Sequence, residues 1–486
     1  MSNSPEPRFV APAMDATDLE KSQQDKLFVP YPNYTTVHQP LIAVKQPRRV
    51  SRGRRVLRVF LHSFLLVALA LFFFPGLLRN ISQLSHSIGH KLFRGRDTLL
   101  GGHYGTYEDM DDCVRFADWT VKEPGDYFVS NPEQTAHYPY VANTSVDLPV
   151  SSDLLYLLSS GALSNGVVEV TADGPSDSDV ATVDVKLLYH HSEILEKAHV
   201  CLLQREEGKN GVGIFTPKQW HHHQRRDPHH SPFFAVKVSL PEPSGEEPLK
   251  INAFETNMSG FLHTLGDLDG VVDFETLVLR SANHPIFAKS VFAHVADVGT
   301  SNSPIYGNFT TSDSLILRSS NSPIVTNVTL INDGAADHAT KLVMRSSNGH
   351  ISSNLTLLSS TDDHTGGKFD VSVASSNSPI DIVYVDAPVD SVQKFLGHTS
   401  NSPARLTAHK TFEGKFFLRT STWFPINVNH DDTVEDPAGK GRSRDVALKV
   451  VNRGVTEGTV RWVPEEDREL GSIVLTTSNS PLQLKL

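Results

Sequence analysis

A four-residue motif, Ser-Asn-Ser-Pro, returns through the C-terminal half of this 486-residue chain and narrows the architectures open to it. It stands at Ser301-Asn302-Ser303-Pro304, Ser320-Asn321-Ser322-Pro323, Ser376-Asn377-Ser378-Pro379, Ser400-Asn401-Ser402-Pro403 and Ser478-Asn479-Ser480-Pro481. Two looser copies surround Asn283 (Ser281-Ala282-Asn283-His284-Pro285) and Asn348 (Ser347-Asn348-Gly349-His350). From one motif asparagine to the next the steps are 19, 19, 27, 29, 24 and 78 residues. A base period near 19 with longer steps indicates one supersecondary unit stacked on itself, with loop insertions between copies.

The apolar residues keep fixed places around each motif. Six and four positions before the asparagine stand Leu277/Leu279, Ala296/Val298, Leu315/Leu317, Leu342/Met344, Val371/Val373, Phe395/Gly397 and Ile473/Leu475. That is the period-2 alternation of a half-buried strand. Three positions after it stand Ile286, Ile305, Ile324, Ile351, Ile380, Ala404 and Leu482. An odd offset puts this residue on the opposite side of a straight strand, so it reaches the same core only if the chain turns at Asn-Ser-Pro. Asn tolerates the left-handed region, Pro fixes φ and donates nothing to a ladder, and Ser offers short bonds to exposed backbone. Asn283, Asn302, Asn321, Asn348, Asn377, Asn401 and Asn479 are therefore read as structural turn residues, and stacked asparagines can add a hydrogen-bonded ladder. Strand, corner, strand describes an all-β, β-solenoid-like body. A β-sandwich of repeated hairpins is the alternative.

Val59 to Leu78 is a run of 20 residues without charge, the length of a bilayer span. Lys45, Arg48, Arg49, Arg52, Arg54, Arg55 and Arg58 precede it, against Arg79, Lys91, Arg94 and Arg96 beyond. The asymmetry predicts a single-pass signal-anchor with a cytoplasmic N-terminus and a lumenal or extracellular remainder. The expected organisation is a disordered basic tail over 1–55, a transmembrane helix over 56–79 and a juxtamembrane linker over 80–140. A first β region follows over 141–280 and the repeat region over 281–486, the two forming one continuous body. Residues 59–486 carry 34 basic and 50 acidic side chains, a balance that argues against nucleic acid as a partner. The lipid bilayer is an expected partner.

Asn143, Asn257, Asn308, Asn327 and Asn354 head Asn-x-Ser/Thr tripeptides and are glycosylation candidates on the expected lumenal side. Two cysteines, Cys113 and Cys201, read as one disulfide in an oxidising compartment; two separate thiols are the alternative.

Candidates for chemistry are few. His221, His222, His223, His229 and His230 form a dense imidazole cluster within 218–232, but in a low-complexity run among Arg and Pro it reads as a disordered insertion loop, not a metal site. Asp362-Asp363-His364 and Asp431-Asp432 sit in loops where polar turns are the default. Arg280, Arg318 and Arg345 lie three residues before motif asparagines and point outward; they read first as solvated strand residues, with a strip that holds anionic glycans or lipid head groups as the alternative. No nucleophile motif, phosphate-cradling glycine loop or CxxC pair occurs, so no catalytic residue, cofactor or metal is expected.

The rung pattern apolar-x-apolar-x-(Ser/Thr)-x-Asn-x-Pro-Ile resembles an adhesin-type repeat domain of unknown function found in bacteria and fungi. The layout of basic tail, apolar run, Cys113-to-Trp119 segment and rungs is similar to uncharacterised basidiomycete-type fungal membrane proteins. The resemblance covers roughly residues 110–486. It implies a stacked β fold and a surface role, and brings no catalytic residues. The expected function is a non-catalytic, adhesin-like ectodomain contacting cell-wall glycan or another surface protein. A membrane-tethered carbohydrate-active enzyme on a β-helix is the alternative, marked by carboxylates converging with Arg or His in one cleft.

Overall fold

The computed structural model describes residues 112–122, 138–176, 178–218, 231–334, 338–431, 433–464 and 469–486. All lie in one compact body, Gly105–Leu486.

Strands that precede each corner build one face of the body. Leu154–Ser160, Leu249–Asn257, Val272–Arg280, the second half of Ile286–Gly299, Ser314–Arg318, Thr340–Ser346, Lys368–Ser375 and Val392–Thr399 lie side by side and parallel. Strands that follow the corners build the second face. These are Gly166–Gly174, Phe261–Asp267, the first half of Ile286–Gly299, Ile305–Thr311, Ile324–Asn332, Ile351–Ser359, Ile380–Asp386 and Ala404–Thr407, again parallel. Parallel pairing of successive units is what a coil of rungs produces, whereas hairpins give antiparallel neighbours. The body is a two-faced β-solenoid.

Inward residues of equivalent position stack into columns. Ile286, Ile305, Ile324, Ile351, Ile380, Ala404 and Leu482 form one on the second face, all buried. Facing them are buried Leu277, Ala296, Leu315, Leu342, Val371, Phe395 and Ile473, in register on the first face. Gly397 breaks the neighbouring column because the Phe395 ring and the Leu475 Cδ1 atom, 2.4 Å from where its Cβ would stand, already fill that space.

Rung order in space departs from chain order at both ends. Lys209–Phe215 and Phe233–Pro241 stack outside Leu154–Ser160 and Gly166–Gly174, although they follow them in sequence. Antiparallel strands continue each face there: His199–Glu206 and Cys113–Phe116 on the first, Val180–Tyr189, Tyr140–Pro149 and Thr120–Lys122 on the second. At the other end the last rung of the chain slips inside. Gly471–Thr477 lies between Val392–Thr399 and Gly414–Arg419, and Leu482–Lys485 between Ala404–Thr407 and Ile426–Asn429. The antiparallel hairpin Ser443–Asn452/Val455–Val463 then extends the first face past Gly414–Arg419.

Two expectations are corrected. The chain was expected to place a membrane helix before the β body, but among the described residues no helix is long and apolar enough to cross a membrane. The one helix there is Ser192–Lys197, six residues long. The fold class is accordingly the all-β solenoid itself, and the single-pass placement with a cytoplasmic N-terminus, which rested on that helix, is withdrawn with it. The segments expected as tail and span, 1–55 and 56–79, lie outside the described residues, as do most of 80–140 and His221 to His230.

Candidate functional site

The corner motif acts along the solenoid axis. Asn302 Nδ2 donates to Asn283 Oδ1 at 2.8 Å, and the same bond runs from Asn321 to Asn302, Asn348 to Asn321, Asn377 to Asn348 and Asn401 to Asn377. Asn479 Nδ2 completes the ladder on Asn401 Oδ1 at 2.9 Å. The serine after the asparagine is tied down as well: Ser303, Ser322, Ser378 and Ser402 donate their hydroxyls to the carbonyls of Asn283, Asn302, Asn348 and Asn377. The proline carbonyl accepts the N–H of the isoleucine one rung back, as in Ile286 to Pro304 and Ile305 to Pro323. Where Gly349 replaces that serine, an added Cβ would stand 1.8 Å from the Ser322 carbonyl oxygen, so this corner packs too closely for any side chain.

A second ladder runs on the outer surface of the second face. Asn354 donates to Asn327 at 3.0 Å, Asn327 to Asn308 at 2.8 Å, and Asn308 Nδ2 to the Lys289 carbonyl at 2.6 Å. These three exposed asparagines are glycosylation candidates, and the nitrogen a glycan would take is the ladder donor. On one side of them Phe287, Tyr306 and Val325 share a row, with the Phe287 and Tyr306 rings stacked at 5.4 Å. On the other side Thr310, Thr329 and Thr356 share the next. Asn143 lies mid-strand between Thr120 and Lys186, its buried Oδ1 lacking a hydrogen-bond partner among the described residues, and Asn257 ends a strand between Leu158 and Arg280.

The arginine strip is partly neutralised. Arg280 grips Asp297 with both Nη atoms, at 3.0 and 2.5 Å, reaching across Gly299, and Arg318 Nη1 stands 3.5 Å from the same carboxylate. Arg345, in register with Arg318, is exposed. The acidic loops do not converge. Asp363 accepts from Thr365 and Thr361 in its own turn, bonds that hold its carboxyl below the usual range, and His364 contacts the Ser359 carbonyl. Asp431 accepts from the Thr433 hydroxyl and N–H, with the same effect. Each is used as a turn. Among the described residues no group of His, Cys, Asp and Glu is placed to hold a metal ion.

Cys113 and Cys201 are bonded, with Cα atoms 5.8 Å apart, joining edge strand Cys113–Phe116 to His199–Glu206. A small apolar cluster of Tyr156, Leu158, Cys201, Leu203 and Phe215 surrounds the bridge.

Three features escaped the sequence. His263 occupies the isoleucine column, buried, with Nδ1–H donating to the Phe261 carbonyl at 3.1 Å and Nε2 accepting from the Thr256 hydroxyl at 2.9 Å. Burial pushes its pKa down to about 4, so it is neutral. Its place in the apolar phase of the strand was readable, but its partner across the corner was not. At the C-terminal end, Arg442 makes a paired contact with Asp436 (Nη2 to Oδ1 3.0 Å, Nε to Oδ2 3.1 Å) and approaches Glu413 at 3.7 Å. Asp436 also accepts the N–H groups of Ala438, Lys440 and Arg442, and the Arg442 hydrogen bonds foremost hold its carboxyl far below the usual range. Finally, a groove of about 420 Å³ opens on the outer first face among Lys415, Phe417, Val474, Ala447, Lys449 and Glu457.

No family model matches the chain, and no curated protein matches it. Among solved structures, the crystal structure of a candidate cell adhesion protein from Clostridium sporogenes matches with 8% identity over 71% of this chain and 99% of that one, at a TM-score of 0.17. A likeness that distant carries no argument about fold or function.

Proposed function

We propose that this chain is a non-catalytic, adhesin-like binding module that presents the outer second face to an extended, hydroxyl-rich ligand such as cell-wall glycan. The observation that supports the reading is the set of three in-register rows, Phe287/Tyr306/Val325, Asn308/Asn327/Asn354 and Thr310/Thr329/Thr356. Rungs recur about every 4.8 Å along the axis, so these rows offer amide and hydroxyl groups at a constant pitch to a chain lying along them. Lys289, paired with Asp267, ends the asparagine row, while Asp269 accepts from the Thr310 hydroxyl and Asp386 is in register with Thr356, so charge is confined to the ends of the rows and the rows themselves offer hydrogen bonding and contact.

The test is a glycan-array and insoluble cell-wall pulldown with the full-length protein and two variants. Asn327→Lys puts a charged, longer side chain in the centre of the rows, and Arg345→Glu alters the opposite outer face. The reading expects binding that Asn327→Lys weakens by roughly tenfold or more and Arg345→Glu leaves unchanged. A folded protein that binds none of the glycans, or one affected only by Arg345→Glu, removes it.

A further inference from the structure

Large apolar side chains that remain exposed gather towards the ends of the solenoid. At the C-terminal end Trp423 is 89% exposed, Val450 74%, Val451 47% and Leu448 45%. Trp423 stands in the corner of the terminal rung, where the neighbouring rungs carry the ladder asparagine. Three exposed aliphatics on one strand, Leu448, Val450 and Val451, are informative, since scattered single apolar residues are ordinary but a group of them marks a contact surface.

The strand Ser443–Asn452 completes this end. It pairs with Val455–Val463 on one side, and among the described residues no strand pairs with its other side. Its two rows differ. Arg444, Val446, Leu448 and Val450 lie opposite Trp462, Val460, Gly458 and Thr456, on the side that continues the core. Asp445, Ala447 and Lys449 lie opposite Arg461, Thr459 and Glu457 on the outer side. Natural edge strands are blunted by charges, proline or bulges. Here a bulge falls near the far end, past Val450, and the stretch from Asp445 to Val450 keeps a regular, unpaired backbone edge.

We propose that this edge is a self-association surface and that its occupant is the same strand of a second copy, antiparallel, about a two-fold axis through Ala447. That register sets Asp445 against Lys449 of the second copy, twice by symmetry, on the outer side. It sets Val446 against Leu448, also twice, on the core side, where Leu448 is otherwise left facing water and Val446 is half-buried against the core. Across four strands the outer row then alternates: Arg461, Asp445, Lys449 of the second copy, Glu457 of the second copy. The last pair already exists within each chain, Lys449 Nζ standing 3.0 Å from Glu457 Oε1. Shifting the axis to Leu448 would oppose Asp445 with Val451 and Lys449 with Ala447, losing both charge pairs. Charge therefore selects one register, and an isologous pairing closes on itself as a dimer. The inference stands independently of the ligand reading.

Sedimentation equilibrium of the full-length protein tests it. The wild type is expected to form a discrete dimer. Asp445→Lys and Lys449→Asp each replace two attractive cross-strand pairs with two repulsive ones and are expected to weaken dimerisation by roughly tenfold or more. The combined Asp445→Lys/Lys449→Asp protein restores complementarity and should return to within about threefold of wild type. Ala447→Lys, on the exposed face at the axis, is a second disrupting variant should a charge exchange impair folding, which circular dichroism reports. A wild type that stays monomeric overturns the proposal. So does a dimer indifferent to all these changes, or an open-ended polymer formed instead through the exposed Val114 and Phe116 edge at the other end.

Discussion

Asparagine holds the corner for a reason different from the one its turn propensity suggests. Among the described residues, positive φ outside glycine occurs at His364 and Asp390 and at none of the motif asparagines. What selects asparagine is a side chain with both a donor and an acceptor, able to bond the rung below and the rung above in one line. An interior rung therefore loses two bonds on substitution and a terminal rung one. Asn348→Ala is expected to cost about 1–2 kcal/mol and Asn283→Ala about half of that, compared by chemical denaturation. Equal losses would mean that backbone conformation, not the ladder, is what the residue supplies. His263 makes a different prediction. Its folded-state pKa of about 4 lies below the ordinary value of 6.5, so between those pH values the unfolded chain binds a proton that the folded one refuses. Stability thus rises with pH across that window, by up to about 3 kcal/mol in all. His263→Ile should flatten the fall in Tm between pH 7 and pH 4 that the wild type shows.

The strands and corners were legible because each obeys a local rule: alternation before the asparagine and an odd offset after it. The caps were not, because they obey none. The loop leading into Ser443–Asn452 reads as polar turn, yet it buries Asp436 and Arg442 to 3% side-chain exposure each. Glu413, 23 residues before Asp436, comes near only because the chain returns across the end of the core. A buried pair is costly to break from one side, since the partner charge is left behind. Asp436→Ala is expected to destabilise the C-terminal end by about 3 kcal/mol or more, seen first as proteolysis between 430 and 443. The Asp436 pKa is depressed by Arg442, so its contribution is complete above the unfolded value near 4 and is lost as pH falls further, through the folded value. A cap that loosened on raising pH from 5 to 7 would contradict this.

Taken together, the rungs form one continuous stack whose order the period could not reveal. Every inward face is similarly apolar, so sequence spacing names the rungs without saying which rests on which. The 78-residue step from Asn401 to Asn479 looks like a break in the repeat, and it is an excursion. The chain lays down the terminal rung Gly414–Arg419/Ile426–Asn429, builds the hairpin, and returns to insert its last rung one place earlier. The apolar run Val59 to Leu78 predicts a membrane helix by its length, but it lies outside the described residues, among which no helix is long and apolar enough to cross a membrane. Insertion of the last rung can be checked by cross-linking. In-register corners on adjacent rungs stand about 4.8 Å apart, within the range a disulfide spans. Oxidation of a protein carrying Asn401→Cys and Asn479→Cys should link the two, as peptide mass spectrometry would show. A protein carrying Asn401→Cys and Thr422→Cys, whose corners lie two rungs apart, should stay unlinked. Stacking in chain order would give the reverse, joining 401 to 422 and leaving 479 free, and that result would contradict the inserted rung.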